Sequence, residues 1–322
     1  MRTGARVAAI ALQSALVGSI YGAIRGGPFV GAAIGAGLGG ALSFLEIVVF
    51  QSWWRPTMMR LPFALYFALR VAIYFGLILA LDFGALAAAG LSASVLEPRD
   101  LAFNLIVAMT ANVVISVNEL LGPGVMFAVA AGRYRRPRRE RRVLFFADLA
   151  GSTALAERLG EERFLDLLNA YFADLSQAVA REGAAIHKYV GDELIATWPA
   201  GADPARPIRA CFDARRRIAA RAAWYRATFG DVPAFRAALH EGPVVIGELG
   251  VTRKEIALIG DAMNVCARLL EAAREANAFA LVSGPLYDRL AAPVPGWRAQ
   301  RLAPLTPRGK STPLDLVSLD EE

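Results

Sequence analysis

The stretch IHKYVGDELIAT, residues 186–197, decides the fold of the C-terminal half of this chain. Two short runs of apolar and aromatic residues flank a Gly-Asp dipeptide, which is the pattern of a β-hairpin closed by a tight turn. Such a turn needs glycine for its backbone, but it does not need Lys188, Asp192 and Glu193 gathered around it. For a lone hairpin, a solvated turn is the simplest explanation. A second carboxylate at the end of another predicted strand, Asp148 in RRVLFFADLAGST, favours a functional site instead.

Length and hydropathy indicate two kinds of domain. The chain has 322 residues, 56% of them hydrophobic, and a mean hydropathy of +0.40, which is too apolar for a wholly soluble enzyme. Four apolar runs lie in the N-terminal part, near 7–24, 28–50, 61–82 and 101–121. Each run is close to the ~20 residues that span the hydrocarbon core of a bilayer. The sequence therefore predicts an all-α membrane bundle of about four spans over residues 1–132.

The net charge of +6 is unevenly distributed. Through Arg142 there are 14 arginines and 6 acidic residues, a balance of +8, so the remainder carries −2. Seven of these arginines lie in 133–142, directly after the last predicted span, and indicate a basic juxtamembrane linker that sets topology or contacts anionic lipid. A nucleic-acid partner is not expected. The positive-inside rule places the N-terminus and the C-terminal domain on the cytoplasmic side of a bacterial-type inner (plasma) membrane, with the chain multi-pass.

The predicted elements change character after the linker. A buried strand, a long helix and the hairpin are followed by a second long helix over 205–230, the strands FRAALHEG and PVVIGELG, and further short elements. This order opens as β-α-β-β-α-β. It predicts an α+β, ferredoxin-like domain over 143–322, with an antiparallel-containing sheet and helices on one face.

The order of elements brings two carboxylates together. With the first strand beside the hairpin, Asp148 and Asp192 converge, and they repel each other unless a cation lies between them. Hard cations such as Mg²⁺ are commonly held by one or two carboxylates together with substrate phosphates, and a pair of ions can promote displacement at phosphorus. The turn LAGST after Asp148 offers backbone N–H groups to a polyphosphate. Lys188 lies a few residues from the acidic pair, at a distance suited to base recognition.

Four segments in this order resemble a known family. FFADLAGST, HKYVGDELIATW, ALHEGPVVIGELG and LIGDAMNVCARL are similar to the signature segments of the class III adenylate/guanylate cyclase catalytic domain, over about residues 141–320. The resemblance implies a homodimer with each active site at the subunit interface. It also implies two Mg²⁺ or Mn²⁺ ions per site, bound by Asp148 and Asp192 with the Leu149 carbonyl as a further ligand.

The resemblance also implies roles at the substrate. Lys188 would hydrogen-bond the adenine ring, while Asn264 and Arg268 of the partner subunit would orient the ribose and stabilise charge on the phosphate. Residues i and i+4 share a helix face, so an amide and a guanidinium at this spacing can reach one substrate. Arg308 corresponds to a basic residue that grips the terminal phosphates, with Lys310 as the alternative.

One position departs from the family pattern. Ala257, seven residues before Asn264, stands where the family usually has Asp or Thr to complete adenine recognition. The expected function is therefore a membrane-anchored adenylate cyclase that converts ATP to 3′,5′-cyclic AMP and pyrophosphate. Guanylate cyclase activity is the alternative within enzymes. A cyclase-like membrane receptor that only binds nucleotide, with weak catalysis, is the alternative from another class.

Overall fold

The computed structural model divides the chain into two compact units, Met1–Met126 and Phe127–Glu322. The residues that it describes are 37, 39–41, 61–88, 97–121, 132, 136–252, 254–291, 296–305 and 313–321. The first two predicted spans, near 7–24 and 28–50, lie outside the described residues except for positions 37 and 39–41, which are helical.

The N-terminal unit contains two long apolar helices, α1 (Phe63–Ala88) and α2 (Pro98–Leu121). They coincide with the third and fourth predicted spans. Within them, Phe63–Gly84 and Pro98–Val117 are each long and apolar enough to cross a membrane. Tyr74, Ile78 and Ala108 form a buried cluster in this unit.

Two polar side chains within these helices, those of Arg70 and Asn112, form hydrogen bonds. Arg70 is fully buried, and its guanidinium donates to the hydroxyls of Tyr66 (2.7 Å) and Tyr74 (3.1 Å), each four residues away. Between the helices, Asn112 Nδ2 donates to the Phe67 carbonyl at 3.0 Å. Because polar groups in apolar surroundings are costly without partners, the Asn112 bond helps to fix how α1 and α2 face each other.

The C-terminal unit is built on one mixed sheet with flanking helices. Its elements are β1 (Arg138–Leu149), α3 (Ser152–Leu159), α4 (Glu161–Arg181), β2 (Ala185–Val190), β3 (Glu193–Pro199), α5 (Ala205–Ala220), α6 (Ala222–Phe229), β4 (Phe235–Leu249), β5 (Glu255–Ile259), α7 (Asp261–Glu275), β6 (Ala280–Ser283), α8 (Gly284–Tyr287), β7 (Trp297–Leu305) and β8 (Leu314–Glu321).

The strand order is β2-β3-β1-β4-β6-β8-β7, with β5 paired to the far half of β4. β1 is antiparallel to both β3 and β4, and β2 is antiparallel to β3. The first four strands therefore have the order expected of a β-α-β-β-α-β unit, and the α+β prediction is confirmed. β4 and β6 are parallel, so the sheet is mixed beyond that unit.

Two strands are longer than the sequence predicts. β1 begins at Arg138, inside the expected linker 133–142, because its first residues pair with β4 from Arg138↔Ile246 to Arg142↔Gly242. β4 is one continuous strand of 15 residues rather than two. Pro243 lies between the segments of β4 that pair with β6 and with β5, where one edge of the strand has no neighbour, and proline is tolerated at such an edge.

The single helix predicted over 205–230 is instead two helices that meet at Arg221. Arg221 has φ −102° and ψ 11°, outside the helical region, and its Nη1 lies 2.7 Å from Asp174 Oδ2 on α4. The Tyr225 hydroxyl donates to the same oxygen at 2.7 Å. The break thus lets two side chains satisfy one buried carboxylate, which an uninterrupted helical pattern does not reveal.

Helices cover both faces of the sheet. Val143 and Phe145 of β1 belong to a core that includes residues of α4 and α5, so these two helices lie on one face as predicted; for the sheet as a whole, the prediction of helices on one face is wrong. Leu144 and Phe146 belong to a second core, formed with α7 on the opposite face. β1 is therefore buried on both sides, which explains why its sequence is a continuous apolar run rather than an alternating one.

Replacing Arg221 with Met should destabilise the C-terminal unit by on the order of 1–3 kcal/mol, because Asp174 would stay buried with one hydrogen bond fewer. The Arg221 side chain is partly open to solvent, whereas that of Asp174 is buried. The expected loss of stability is therefore smaller than for a fully buried pair. Thermal unfolding of the full-length protein in detergent measures the change.

The matched control is Arg209→Met. Arg209 has the same side-chain exposure as Arg221, 38%, but its partners Glu182 and Asp203 are more open to water. Its loss should cost less than about 1 kcal/mol. Equal effects of the two variants would contradict the special role of the buried Asp174 carboxylate.

Candidate active site

The site begins at the turn between β2 and β3. Val190 pairs with Glu193, so the turn contains only Gly191 and Asp192, and the predicted hairpin is confirmed. Gly191 has φ +61°, a conformation that favours glycine, and a two-residue turn with a positive φ at its first position matches the twist of the strands. Asp192 is thereby held at the tip.

The antiparallel pairing of β1 with β3 brings the acidic residues together. Asp148, one residue before the end of β1, is the register partner of Glu193. Facing residues of an antiparallel pair point to the same side of the sheet, and Asp148 also lies close enough to Asp192 for a side-chain hydrogen bond between the two carboxyl groups to influence its pKa. The expected convergence of Asp148 and Asp192 is therefore present, with Glu193 as a third carboxylate.

Burial and mutual repulsion disfavour negative charge here. Burial raises the pKa of Asp148, a hydrogen bond from Arg274 opposes that rise, and the charge of Asp192 adds to it. For Glu193, burial followed by the charge of Asp148 raises the pKa to about 7. A divalent cation beside these groups would stabilise their ionised forms, so the donor set fits a hard metal ion.

The described carboxylates could form only part of a metal coordination shell. Across the described part of the chain, no group of three or more His, Cys, Asp or Glu side chains is arranged to hold a metal ion. A Mg²⁺-type ion commonly binds one or two carboxylates and takes its other ligands from water and phosphate. Leu149, the predicted carbonyl ligand, is the last residue of β1 and pairs with Phe235, directly beside Asp148.

A helix N-terminus follows the acidic pair. Gly151, with φ +70°, precedes α3, and no side chain caps the first turn of that helix. The first backbone N–H groups of a helix have no intrahelical acceptor, and the helix dipole favours an anion at this end. This helix begins at Ser152, four residues after Asp148, so an anion bound at its N-terminus would lie near the predicted metal ligands.

Lys188 lies on β2 opposite Ile195, after a register irregularity between Ile186 and Lys188. Its Nζ is 3.6 Å from the Glu255 carboxylate on β5, and both side chains are about half exposed. Ala257, the position that departs from the family pattern, is two residues further along β5, is buried, and pairs with Gly247 of β4. The Lys188 side chain of β2 thus reaches β5, the strand that contains Ala257.

Glu255 is a site residue that sequence reasoning missed. Its carboxylate can accept a hydrogen bond two positions from the methyl group of Ala257. The signal was weak because the only sequence cue is an acidic residue near the start of a short strand. Its contact with Lys188 joins positions 67 residues apart, which no local sequence pattern reveals.

Asn264 and Arg268 lie on the exposed side of α7, as their spacing predicts. The opposite side of the helix, including Val265, Cys266 and Leu269, is buried against the sheet. Arg268 Nη1 is 2.6 Å from Glu271 Oε2. Neither Asn264 nor Arg268 has a recorded hydrogen bond or ion pair to the acidic cluster among the described residues, so the structure does not bring these two groups together within one chain.

Two glycines allow α7 to approach the sheet. A Cβ on Gly242 of β4 would lie 2.6 Å from Ala262 Cβ, and one on Gly260 would lie 2.8 Å from the Pro243 carbonyl oxygen. Neither separation is sterically acceptable, so both positions require glycine for close backbone approach. This contact fixes the first turn of α7 and hence the place of Asn264.

Arg274, at the end of α7, is the second site residue that the sequence did not reveal. Its Nη2 is 2.7 Å from Asp148 Oδ1, and its Nε donates to Oδ2 at 3.1 Å. A basic residue in the last turn of a helix is common because of the helix dipole, so no sequence signal singled it out. Arg308 and its alternative Lys310 lie outside the described residues.

Comparisons with known proteins agree with this geometry. Residues 136–291 match the family described as the adenylate and guanylate cyclase catalytic domain. A relative from Rhizobium meliloti (strain 1021), named adenylate cyclase 2, is 43% identical over 209 residues, which are 64% of this chain and 57% of the relative. The chain thus spans little more than half the length of that relative.

Solved structures show the same fold at low sequence identity. The adenylyl cyclase CyaB from P. aeruginosa has a TM-score of 0.51 and 22% identity, covering 58% of this chain and 97% of the other. A bacterial light-regulated adenylyl cyclase has a TM-score of 0.59 and 18% identity, covering 70% of this chain and 66% of the other. Residues 136–291 of the chain are thus a catalytic domain of the class III adenylate/guanylate cyclase family.

Proposed function

We propose that the protein is a membrane-anchored adenylate cyclase that converts ATP to 3′,5′-cyclic AMP and pyrophosphate. The observation that carries the proposal is the register of β1 and β3, which pairs Asp148 with Glu193 and brings it near Asp192. The uncapped N-terminus of α3 follows Asp148 within a few residues. The relative that is 43% identical bears the name adenylate cyclase, which supports the same reaction. In this reaction the ribose 3′-oxygen bonds to the α-phosphorus, the bond to pyrophosphate breaks, and the hydroxyl proton is lost.

Two carboxylates are proposed to hold the metal ions. Asp148 and Asp192 would bind two Mg²⁺ or Mn²⁺ ions, with the Leu149 carbonyl as an additional ligand. When bound, the ions would supply Lewis acidity, which lowers the pKa of a hydroxyl and stabilises charge on a phosphate. Glu193, across the ladder from Asp148, adds negative potential that favours cation binding. The turn at Gly151 would hold the phosphate chain through backbone N–H groups.

The active site is proposed to be shared between two copies of the chain. Asn264 and Arg268 face solvent on α7 rather than the acidic cluster of their own chain. Such side chains can act on a substrate bound to the cluster when a second subunit presents them. The β4–β5 hairpin also exposes Val245, Leu249 and Ile259, and apolar side chains gathered on a surface favour a partner. These features support a homodimer.

The base is proposed to be adenine. Lysine is only a hydrogen-bond donor, so Lys188 suits the ring-nitrogen acceptor of adenine and opposes the ring N–H of guanine. Glu255 provides an acceptor for the adenine amino group that Ala257 lacks. Guanylate cyclase activity remains the second candidate, because the same Lys–Glu pair can donate to the guanine carbonyl and accept from its ring N–H if the base shifts by one position.

The two apolar helices and the distribution of arginines support the proposed location. α1 and α2 are long enough to anchor the chain in a membrane. The arginine-rich segment 133–142 favours a cytoplasmic catalytic unit at the inner membrane, where ATP is available. Arg308 would grip the terminal phosphates, and no nucleic acid is involved.

Replacing Asp148 or Asp192 with Ala should abolish cyclic AMP formation, because each change removes a proposed metal ligand and one negative charge. The measurement is cyclic AMP formation with Mg²⁺ or Mn²⁺ by full-length protein in detergent. Asp166→Ala is the matched control, since Asp166 is an exposed acid on α4, and it should keep wild-type activity. Near-full activity of either site variant would refute the metal assignment.

Mixing two inactive variants tests the shared site. Asp148→Ala and Arg268→Ala should each be inactive alone, because in a symmetric dimer every site then lacks one group. In a mixture, half the dimers contain one intact site, so activity should return to about a quarter of the wild-type value. Cross-linking confirms that mixed dimers form. Mixed dimers without any activity would show that Asp148 and Arg268 serve the same site from one chain.

Base preference depends on Lys188. Lys188→Glu should lower kcat/KM for ATP by about tenfold to a hundredfold, since a mismatched buried polar contact costs ~1–3 kcal/mol. Ala257→Asp should tighten the preference for ATP or leave it unchanged. The charge-matched control is Lys254→Glu, because Lys254 pairs with Glu248 at the surface. A wild-type preference for GTP over ATP in the same assay would favour the guanylate cyclase alternative.

A further inference from the structure

Arg274 occupies the carboxylate that the proposed function assigns to a metal. The guanidinium contacts both oxygens of Asp148, through Nη2 to Oδ1 at 2.7 Å and Nε to Oδ2 at 3.1 Å. This two-point contact is the strongest geometry available to an arginine–carboxylate pair. The Asp148 side chain is 7% exposed, whereas that of Arg274 is 48% exposed. Asp148 is therefore buried, whereas Arg274 is half exposed to solvent.

We propose that Arg274 is a built-in counter-cation of the metal-free site, and that divalent metal must displace it from Asp148 to bind. The inference rests on the proposed function, because it takes Asp148 as a metal ligand. Arg274 lies outside the predicted ligand set, and under this inference it controls the metal affinity of those ligands.

Electrostatics explains why a counter-cation is needed. Asp148, Asp192 and Glu193 concentrate three carboxyl groups in a partly buried place, and Arg274 interacts with all three. A single positive charge relieves only part of their mutual repulsion. A divalent ion at the same carboxylates would relieve more, and it would repel the guanidinium because like charges at short range repel strongly in a low-dielectric setting.

The displaced side chain has an alternative partner. Glu271 lies three residues before Arg274 on α7, a spacing at which side chains on a helix meet. Glu271 is paired with Arg268 at 2.6 Å. A guanidinium that leaves Asp148 can move toward Glu271, and sharing that carboxylate would weaken its hold on Arg268. Metal loading would then favour the release of the side chain proposed to act on the phosphate.

A purely supporting role for Arg274 predicts the opposite result. If Arg274 only orients Asp148 as an outer partner of the metal ligand, its removal should weaken metal binding. If it competes with the metal, its removal should strengthen metal binding. The sign of the change in metal affinity therefore distinguishes the two roles.

The test measures Mn²⁺ binding to full-length protein in detergent by electron paramagnetic resonance of the free ion. 3′-Deoxy-ATP serves as a nucleotide that cannot cyclise, and each signal is compared with that of the same Mn²⁺–nucleotide mixture without protein, because the triphosphate also binds the ion. Arg274→Gln should lower the Mn²⁺ dissociation constant by about three- to tenfold, the range expected for losing a half-exposed but two-point competing ion pair. Arg274→Lys keeps the charge but not the fork, so it should give a smaller decrease.

The control is Arg215→Gln. Arg215 is 41% exposed and pairs with Asp320 at 2.6 Å, and it lies on α5, which packs on the other face of the sheet. The change removes the same charge, so it reports any long-range electrostatic effect and should leave Mn²⁺ affinity within about twofold of wild type.

Each outcome decides the inference. Unchanged or weaker Mn²⁺ binding by Arg274→Gln would overturn it, as would an equal gain in the Arg215 control. Should the Gln variant fail to fold, the Lys variant decides, and unchanged or weaker binding there overturns the inference as well. If wild-type protein binds no Mn²⁺, or if Asp148→Asn binds it as tightly as wild type, the metal assignment itself fails. That failure is distinguishable, because it precedes any comparison at Arg274.

Discussion

The antiparallel register of β1 and β3 is the constraint on which the site depends. Because Asp148 faces Glu193, the end of one strand and the start of the next place their carboxylates at a single point, and the two-residue turn adds Asp192. A shift of one residue would send Asp148 to the opposite face and into the other core. The apolar run before Asp148 is buried on both faces, so this register is held by packing as well as by hydrogen bonds.

α7 serves two purposes because its two sides differ. Its apolar side is packed on the sheet, and close glycine contacts fix its first turn, so the exposed side is held rigidly. That side presents Asn264 and Arg268 to solvent near its start, while Arg274 near its end reaches Asp148 of the same chain. One helix thus carries groups proposed to serve the partner's site and a group that touches its own.

The parts predictable from sequence were those set by local pattern. The hairpin, the strand ending at Asp148 and the i, i+4 pair on α7 each depend on a few neighbouring residues, and the ordered motifs supplied the topology that joins them. Contacts between distant positions were missed. Arg274 meets Asp148 across 126 positions, and the Asp174 network that interrupts the helix 205–230 joins α4 to Arg221 across 47. Side-chain reach after folding, which periodicity does not encode, decides both.

Under the proposed function, the acidic cluster is a site prepared for a metal ion before the ion binds. Three neighbouring carboxyl groups oppose folding when nothing balances their charge, and burial makes the opposition stronger. A guanidinium bound too tightly to these carboxyl groups would exclude the proposed metal. Without any guanidinium, the repulsion between the carboxyl groups would destabilise the fold. Arg274 lies between these limits because its partner is buried while it is itself half exposed. Arg274 thereby lowers the electrostatic cost of gathering the three carboxyl groups, and its exposed side chain fits the proposal that a doubly charged ion replaces a singly charged one.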